Sequence, residues 1–93
     1  MNSYESMIVI SANLAETDVD QENLKIINFI KENGGELIET DKWPKRSLAY
    51  EISKQKEGYY FINYFNFAAE KILELDRLYR LNENIIRHNI IKK

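Results

Sequence analysis

The sequence predicts an α+β fold in which a four-stranded antiparallel sheet carries two helices on one face. Three observations lead there. Apolar residues alternate at strand spacing in four stretches and recur at helical spacing in two others. The order of these stretches is strand, helix, strand, strand, helix, strand. With 93 residues the chain is long enough for one core and too short for two, so residues 1–93 are expected to form a single domain.

Each element has its own signal. Tyr4 to Ser11 (YESMIVIS) is rich in β-branched residues and reads as a strand. Thr17 with Asp20 resembles a capping box, and Asp18, Asp20 and Glu22 put negative charge where a helix dipole favours it. Leu24, Ile27 and Ile30 then recur at helical spacing, supported by Ile26 and Phe29, until Asn33-Gly34-Gly35 supplies a left-handed stop. This predicts a helix over roughly 18–33. Glu36 to Trp43 alternates weakly, Pro44 interrupts, and Leu48, Tyr50 and Ile52 resume, giving one long or broken strand. Lys54 to Gly58 reads as a polar turn. Tyr59 to Phe67 (YYFINYFNF) is the strongest strand, with Tyr59, Phe61 and Phe65 facing one way and Tyr60, Ile62 and Tyr64 the other. Asn66 is placed to cap a second helix, in which Ala69, Ile72, Leu75 and Tyr79 keep helical spacing up to Asn82. Ile85 to Ile91 closes as a strand. The order is that of the ferredoxin-like βαββαβ fold, whose first and third strands are central and whose second and fourth are edges. One sheet face then has no helix to cover it, and its aromatic character points to a partner surface.

Composition narrows the function. Hydrophobic residues at 44% and charged residues at 30% suit a soluble globular protein, and no cysteine is present for disulfide, redox or thiolate-metal chemistry. No apolar stretch is long enough to span a membrane, and MNSYESMIVIS lacks the features of a secretory leader, so a cytoplasmic location is expected. Charge divides along the chain. Residues 1–41 hold two basic side chains against nine acidic, a balance of −7, and residues 42–93 hold eleven against six, a balance of +5. Such asymmetry suggests an electrostatic binding face.

Catalysis finds little support. The loop Ala12-Asn13-Leu14-Ala15-Glu16 has neither the glycine nor the cation that an acyl-phosphate site needs. The sole histidine, His88, sits in a strand without a nucleophile to activate. No cluster of histidine, cysteine and carboxylate has metal-ligand spacing, and no cofactor is implied. A freestanding single-stranded RNA binder is the alternative. Residues 57–64 match six of the eight third-strand positions of the RNA-recognition motif, but Glu57 replaces its cation and Tyr60 its small residue, and the first strand lacks a stacking aromatic.

The stretch PKRSLAYEIS resembles the signature of the bacterial small-subunit ribosomal protein six family, through Arg46, Leu48, Ala49, Tyr50, Ile52 and Ser53. Tyr4-Glu5, Trp43, Gly58-Tyr59 and the run Arg80-Leu81-Asn82-Glu83-Asn84-Ile85-Ile86-Arg87-His88 extend the similarity over nearly the whole chain. Pro44 stands where the signature has glycine, Glu51 where relatives often have proline, and the tail that some members carry is absent. The resemblance implies a ferredoxin-like domain without catalytic activity. It also implies binding to the central domain of small-subunit (16S) ribosomal RNA together with small-subunit ribosomal protein eighteen. On that reading Lys42, Lys45, Arg46, Lys54, Arg80, Arg87 and Lys92, with Lys93 beside them, are the RNA-binding candidates, led by Arg46 and Arg87 because arginine makes forked phosphate contacts. Trp43, Leu48, Tyr50, Tyr59 and Phe61 are the partner-binding candidates.

Overall fold

A computed structural model of the chain describes residues 1–52 and 55–93. In order these form β1 (Asn2–Ser11), α1 (Glu16–Glu32), β2 (Glu36–Lys42), β3 (Arg46–Ile52), β4 (Gln55–Phe67), a 3-10 turn (Ala69–Lys71), α2 (Ile72–Leu81) and β5 (Ile85–Lys92). The sheet order is β2-β4-β1-β5, with β3 also on β4. All pairings are antiparallel, and β1 and β4 are central as expected. Five strands fill four positions. β2 lies along the second half of β4 (Glu36 opposite Asn66, Lys42 opposite Phe61), and β3 lies along its first half (Arg46 opposite Gly58). The expected second strand is therefore divided at Trp43–Lys45, where Pro44 has no N–H to give to a ladder.

The helices cover one sheet face. Tyr4, Ile8 and Ile10 of β1 and Phe61, Phe65 and Phe67 of β4 pack against Val19, Ile26 and Ile30 of α1 and Leu75 and Tyr79 of α2. Tyr79 is fully buried, and its hydroxyl shares a 2.6 Å hydrogen bond with Ser6. Burial pushes this phenol far above its ordinary range, against the opposing effect of the Ser6 hydrogen bond.

Several local expectations are corrected. α1 begins at Glu16 behind Ala15, with no side-chain cap, because Thr17 already lies in the first turn. Its stop is as expected, with Asn33 at the cap and Gly34 at φ +83°. The buried stripe of α1 runs Val19, Glu22, Asn23, Ile26, Ile30, whereas Leu24 is exposed. Asn66 belongs to β4, so it does not cap α2, and that helix is entered through the 3-10 turn. β4 starts at Gln55, so most of the expected polar turn is strand.

Two buried polar side chains explain the shifted stripe. Asn23 and Asn63 exchange hydrogen bonds (Asn63 Nδ2 to Asn23 Oδ1, 2.9 Å), and Thr40 donates to Asn63 Oδ1 at 2.8 Å, tying α1 to β4 and β2. Glu22 is only 5% exposed. It accepts from Asn82 Nδ2 at 2.9 Å, Asn84 Nδ2 at 2.8 Å and Lys25 Nζ at 3.2 Å. Burial alone would raise this carboxyl, but those hydrogen bonds and the Lys25 charge outweigh it and hold it below its usual 4.5. Asn82 and Asn84, part of the closing sequence run, thus lock the α2–β5 connection onto α1.

On the uncovered side, Leu48 of β3 lies close to Gly58 of β4. Val9 is fully buried although it lies outside the helix-side core. A Cβ built on Gly58 would come 2.5 Å from Val9 Cγ1 and 3.7 Å from Leu48 Cδ2. Val9, Gly58 and Leu48 therefore make a small second core in which only glycine fits at position 58.

Both the Glu22 network and this second core can be probed through stability. A carboxylate whose native pKa is depressed stabilises the fold above its unfolded pKa, and that contribution fades as pH falls through the native value. Glu22→Gln should cost about 1–3 kcal/mol at neutral pH, with a gap to wild type that narrows as pH drops below about 4.5, measured by denaturant midpoints across pH. Gly58→Ala should cost about 1–3 kcal/mol through overpacking against Val9. A Val9→Ala background should return part of that loss in the same assay.

Candidate binding face

Strand alternation sets which residues reach the open face. With Ile8 and Phe61 in the core, Glu5, Met7 and Val9 of β1 and Tyr60, Ile62 and Tyr64 of β4 must point the other way. Register then arranges them in rows. At one end, Arg87 of β5 lies opposite Val9, Val9 lies opposite Tyr60, and Trp43 N–H donates to the Tyr60 carbonyl at 2.9 Å. The middle row runs Asp41, Ile62, Met7, Asn89, and the next runs Glu39, Tyr64, Glu5, Ile91.

The first row is aromatic and cationic. The Trp43 ring stacks on Tyr60, with centroids 5.8 Å apart and 24° between planes, and its Nε1 donates to Asp41 Oδ2 at 3.0 Å. The Arg46 guanidinium lies 4.5 Å over the indole. Arg87 Nη1 donates to the Tyr50 hydroxyl at 3.2 Å. Tyr50 is on β3 and Arg87 is on β5, three strand positions away. In a flat sheet that spacing would be about 14 Å, and the hydrogen bond between these two long side chains spans it across the open face.

The opposite end is acidic. Tyr64 sits between Glu5 and Glu39 with Asp41 nearby. Desolvation, followed by the Glu5, Asp41 and Glu39 charges, raises its phenol above the usual 10.0. Lys93 Nζ lies 5.2 Å over the Tyr64 ring and 3.6 Å from a Glu5 oxygen.

The candidates from the sequence do not share one surface. Arg46 and Arg87 come together at the aromatic end of the open face, and Lys45 is exposed at the bend beside them. Lys42 faces α1, 2.7 Å from Asp20 and 3.3 Å from Glu16, and its hydrogen bond to Asp20 leads the causes that raise its pKa. Arg80 is on α2, paired with Asp76 at 3.0 Å, and Lys92 is exposed at the far end of β5 opposite Tyr4. Lys54 lies outside the described residues. Among the partner candidates, Trp43, Leu48 and Tyr50 are on the open side. Phe61 is not available to a partner, being 2% exposed in the helix-side core, and Tyr59 packs against that same core. The residues with the outward role on β4 are Tyr60, Ile62 and Tyr64. Aromatics occupy both faces of this strand, so only the sheet register reveals which set is covered.

The same register bears on the RNA-recognition-motif alternative. Its third-strand stacking positions correspond to Tyr59 and Phe61, which lie on the helix side. His88 is structural, its Nε2 3.1 Å from Asp76 Oδ1 and its ring against Tyr79. Among the described residues no group of three or more histidine, cysteine or acidic side chains is arranged to hold a metal ion.

The family described as Ribosomal protein S6 matches residues 3–92. Small ribosomal subunit protein bS6 of Caldanaerobacter subterraneus subsp. tengcongensis is 41% identical over 92 residues, covering 99% of this chain and 97% of its own length. The bS6 protein of Clostridium acetobutylicum is 41% identical over 91 residues, covering 98% and 96%. The crystal structure of 30S ribosomal protein S6 from Thermotoga maritima superposes with a TM-score of 0.94 at 30% identity, covering 99% of this chain and 87% of that one. With the family match and these relatives spanning nearly its full length, the chain belongs to the ribosomal protein S6 family.

Proposed function

We propose that the protein is a structural constituent of the small ribosomal subunit. In this reading residues 1–93 act as a single domain that binds 16S ribosomal RNA together with small-subunit ribosomal protein eighteen, in the cytoplasm and without catalysing a reaction. The observation that carries the reading is the division of the open sheet face. Arg46 and Arg87 stand among aromatics at one end, Glu5 and Glu39 flank Tyr64 at the other, and Met7 and Ile62 lie between with Asp41 beside them.

Such a face suits two partners. A cationic protein covers the apolar middle and the acidic end, where its charges are matched and Ile62 and Met7 leave water. RNA phosphates meet the two guanidiniums, which orient the complex and leave sequence reading to others. A chain with net charge −2 then needs its basic partner to supply most of the phosphate contacts. The mechanism is positioning.

The test is ternary assembly on a central-domain fragment of 16S RNA. The protein should co-sediment with small subunits and bind the fragment feebly until protein eighteen is added. Tight RNA binding by the isolated chain, with no gain from the partner, would overturn this reading. Arg46→Ala should reduce the magnitude of the log affinity against log salt slope by about one for each phosphate that is no longer neutralised. Measured across a salt series, an unchanged slope takes Arg46 out of the interface.

A further inference from the structure

The bend between β2 and β3 holds a feature that phosphate binding does not explain. Trp43 is fixed at three points: its N–H on the Tyr60 carbonyl, its Nε1 on Asp41, and its ring against Tyr60. Pro44 follows, which confines Trp43 to extended backbone and locks its own φ, so the turn toward Arg46 is stiff. The Arg46 guanidinium rests on this indole at 4.5 Å. Arg46 is exposed and forms no ion pair among the described residues, whereas Lys42 and Arg80 are both engaged with carboxylates.

Resting on the RNA-binding role proposed for this face, we infer that the Tyr60–Trp43–Arg46 stack is the receptor for one unpaired nucleotide, whose base lies flat on the Arg46 guanidinium while a phosphate meets its N–H edge. A carboxylate from a protein would use the N–H edge alone. A nucleobase also uses the planar face, and guanidinium planes are established platforms for unstacked bases. Paired bases inside a helix present no free face, so the ligand is a nucleotide from a loop, bulge or junction. Asp41 lies in the next row of the sheet, so a phosphate track running further along the face would meet its charge. The occupancy is therefore a single nucleotide, with its neighbours directed toward Lys45. Stacking reads no base edge, and any base is accepted.

Arg46→Lys tests this, because it keeps the charge and removes the planar face at an exposed position that the fold does not need. In the ternary assay with protein eighteen and the 16S fragment, Arg46→Lys should weaken binding about 5- to 100-fold, the equivalent of one stacked base, with the salt slope unchanged. Trp43→Leu should weaken it similarly and Trp43→Phe should restore most of the affinity, with unfolding midpoints confirming that each variant folds. Replacing unpaired nucleotides one at a time by abasic residues should reveal a single position at which Arg46→Lys has no further effect. If Arg46→Lys binds like wild type while Arg46→Ala does not, Arg46 is a phosphate contact only, and this inference fails while the RNA-binding role stands. If wild type with its partner does not bind the fragment, both fail.

Discussion

The ladder between β1 and β4 is the constraint on which the other features rest. It pairs Asn2 with Phe67 through Ser11 with Gly58 without a register shift, whereas the ladders from β4 to β2 and β3 and from β1 to β5 all contain one. Because side chains alternate, this register alone decides that Phe61 and Phe65 enter the core while Tyr60, Ile62 and Tyr64 face outward. A slip of one residue would exchange the two sets. A slip of β1 would likewise carry Glu5 under the helices, where desolvation of its charge costs several kcal/mol. The acidic rows on the open face therefore help to select the native register.

Irregularity is concentrated at the periphery, where it shapes the binding face. The shift between Val9 and Ile10 in the β1–β5 ladder, and the break at Pro44, both lie near the aromatic end. After the break Leu48 of β3 reaches the space beside Gly58 and Val9, and Trp43 is free to stack on Tyr60 while its N–H still completes the β4 ladder. Among the described residues, Arg46 and Arg87 are held by aromatic partners rather than carboxylates. A guanidinium held this way keeps its full charge for an external anion and loses less side-chain freedom on binding.

What could be read in the sequence follows the same division. Strand alternation and helix spacing are local properties, so element order, the central position of the first and third strands and the glycine stop after Asn33 were all legible. Glu22 and Asn23 were not, because their burial depends on Asn82, Asn84 and Asn63, forty or more residues away. Asn63, alone among aromatics on the inward side of its strand, was a usable signal that a polar partner waits beneath. The sidedness of the cations was hidden for a similar reason. Lys42 and Arg46 are four residues apart, but the break between them and the crossing of α1 send one to Asp20 and the other to Trp43. Arg46 could be picked out from the motif that contains it and Trp43 from its place just before that motif, whereas the reach of Tyr50 to Arg87 crosses three strand positions and is recorded in no periodicity.

The split of −7 and +5 along the chain does not become two oppositely charged halves of the molecule. The acidic residues of β1 and β2 and the arginines of β3 and β5 meet on one face, separated along the strand direction. From the Tyr60 row to the Tyr64 row is four residues, about 14 Å of strand, against a screening length of about 8 Å at physiological salt. Glu5 and Glu39 therefore weigh little on a polyanion at Arg46, and the two ends can hold oppositely charged ligands together. Asp41 is nearer, about 7 Å along the strand, yet its carboxylate already accepts from the Trp43 indole. A carboxylate that opposes an anion at this end thus also fixes the ring beneath Arg46.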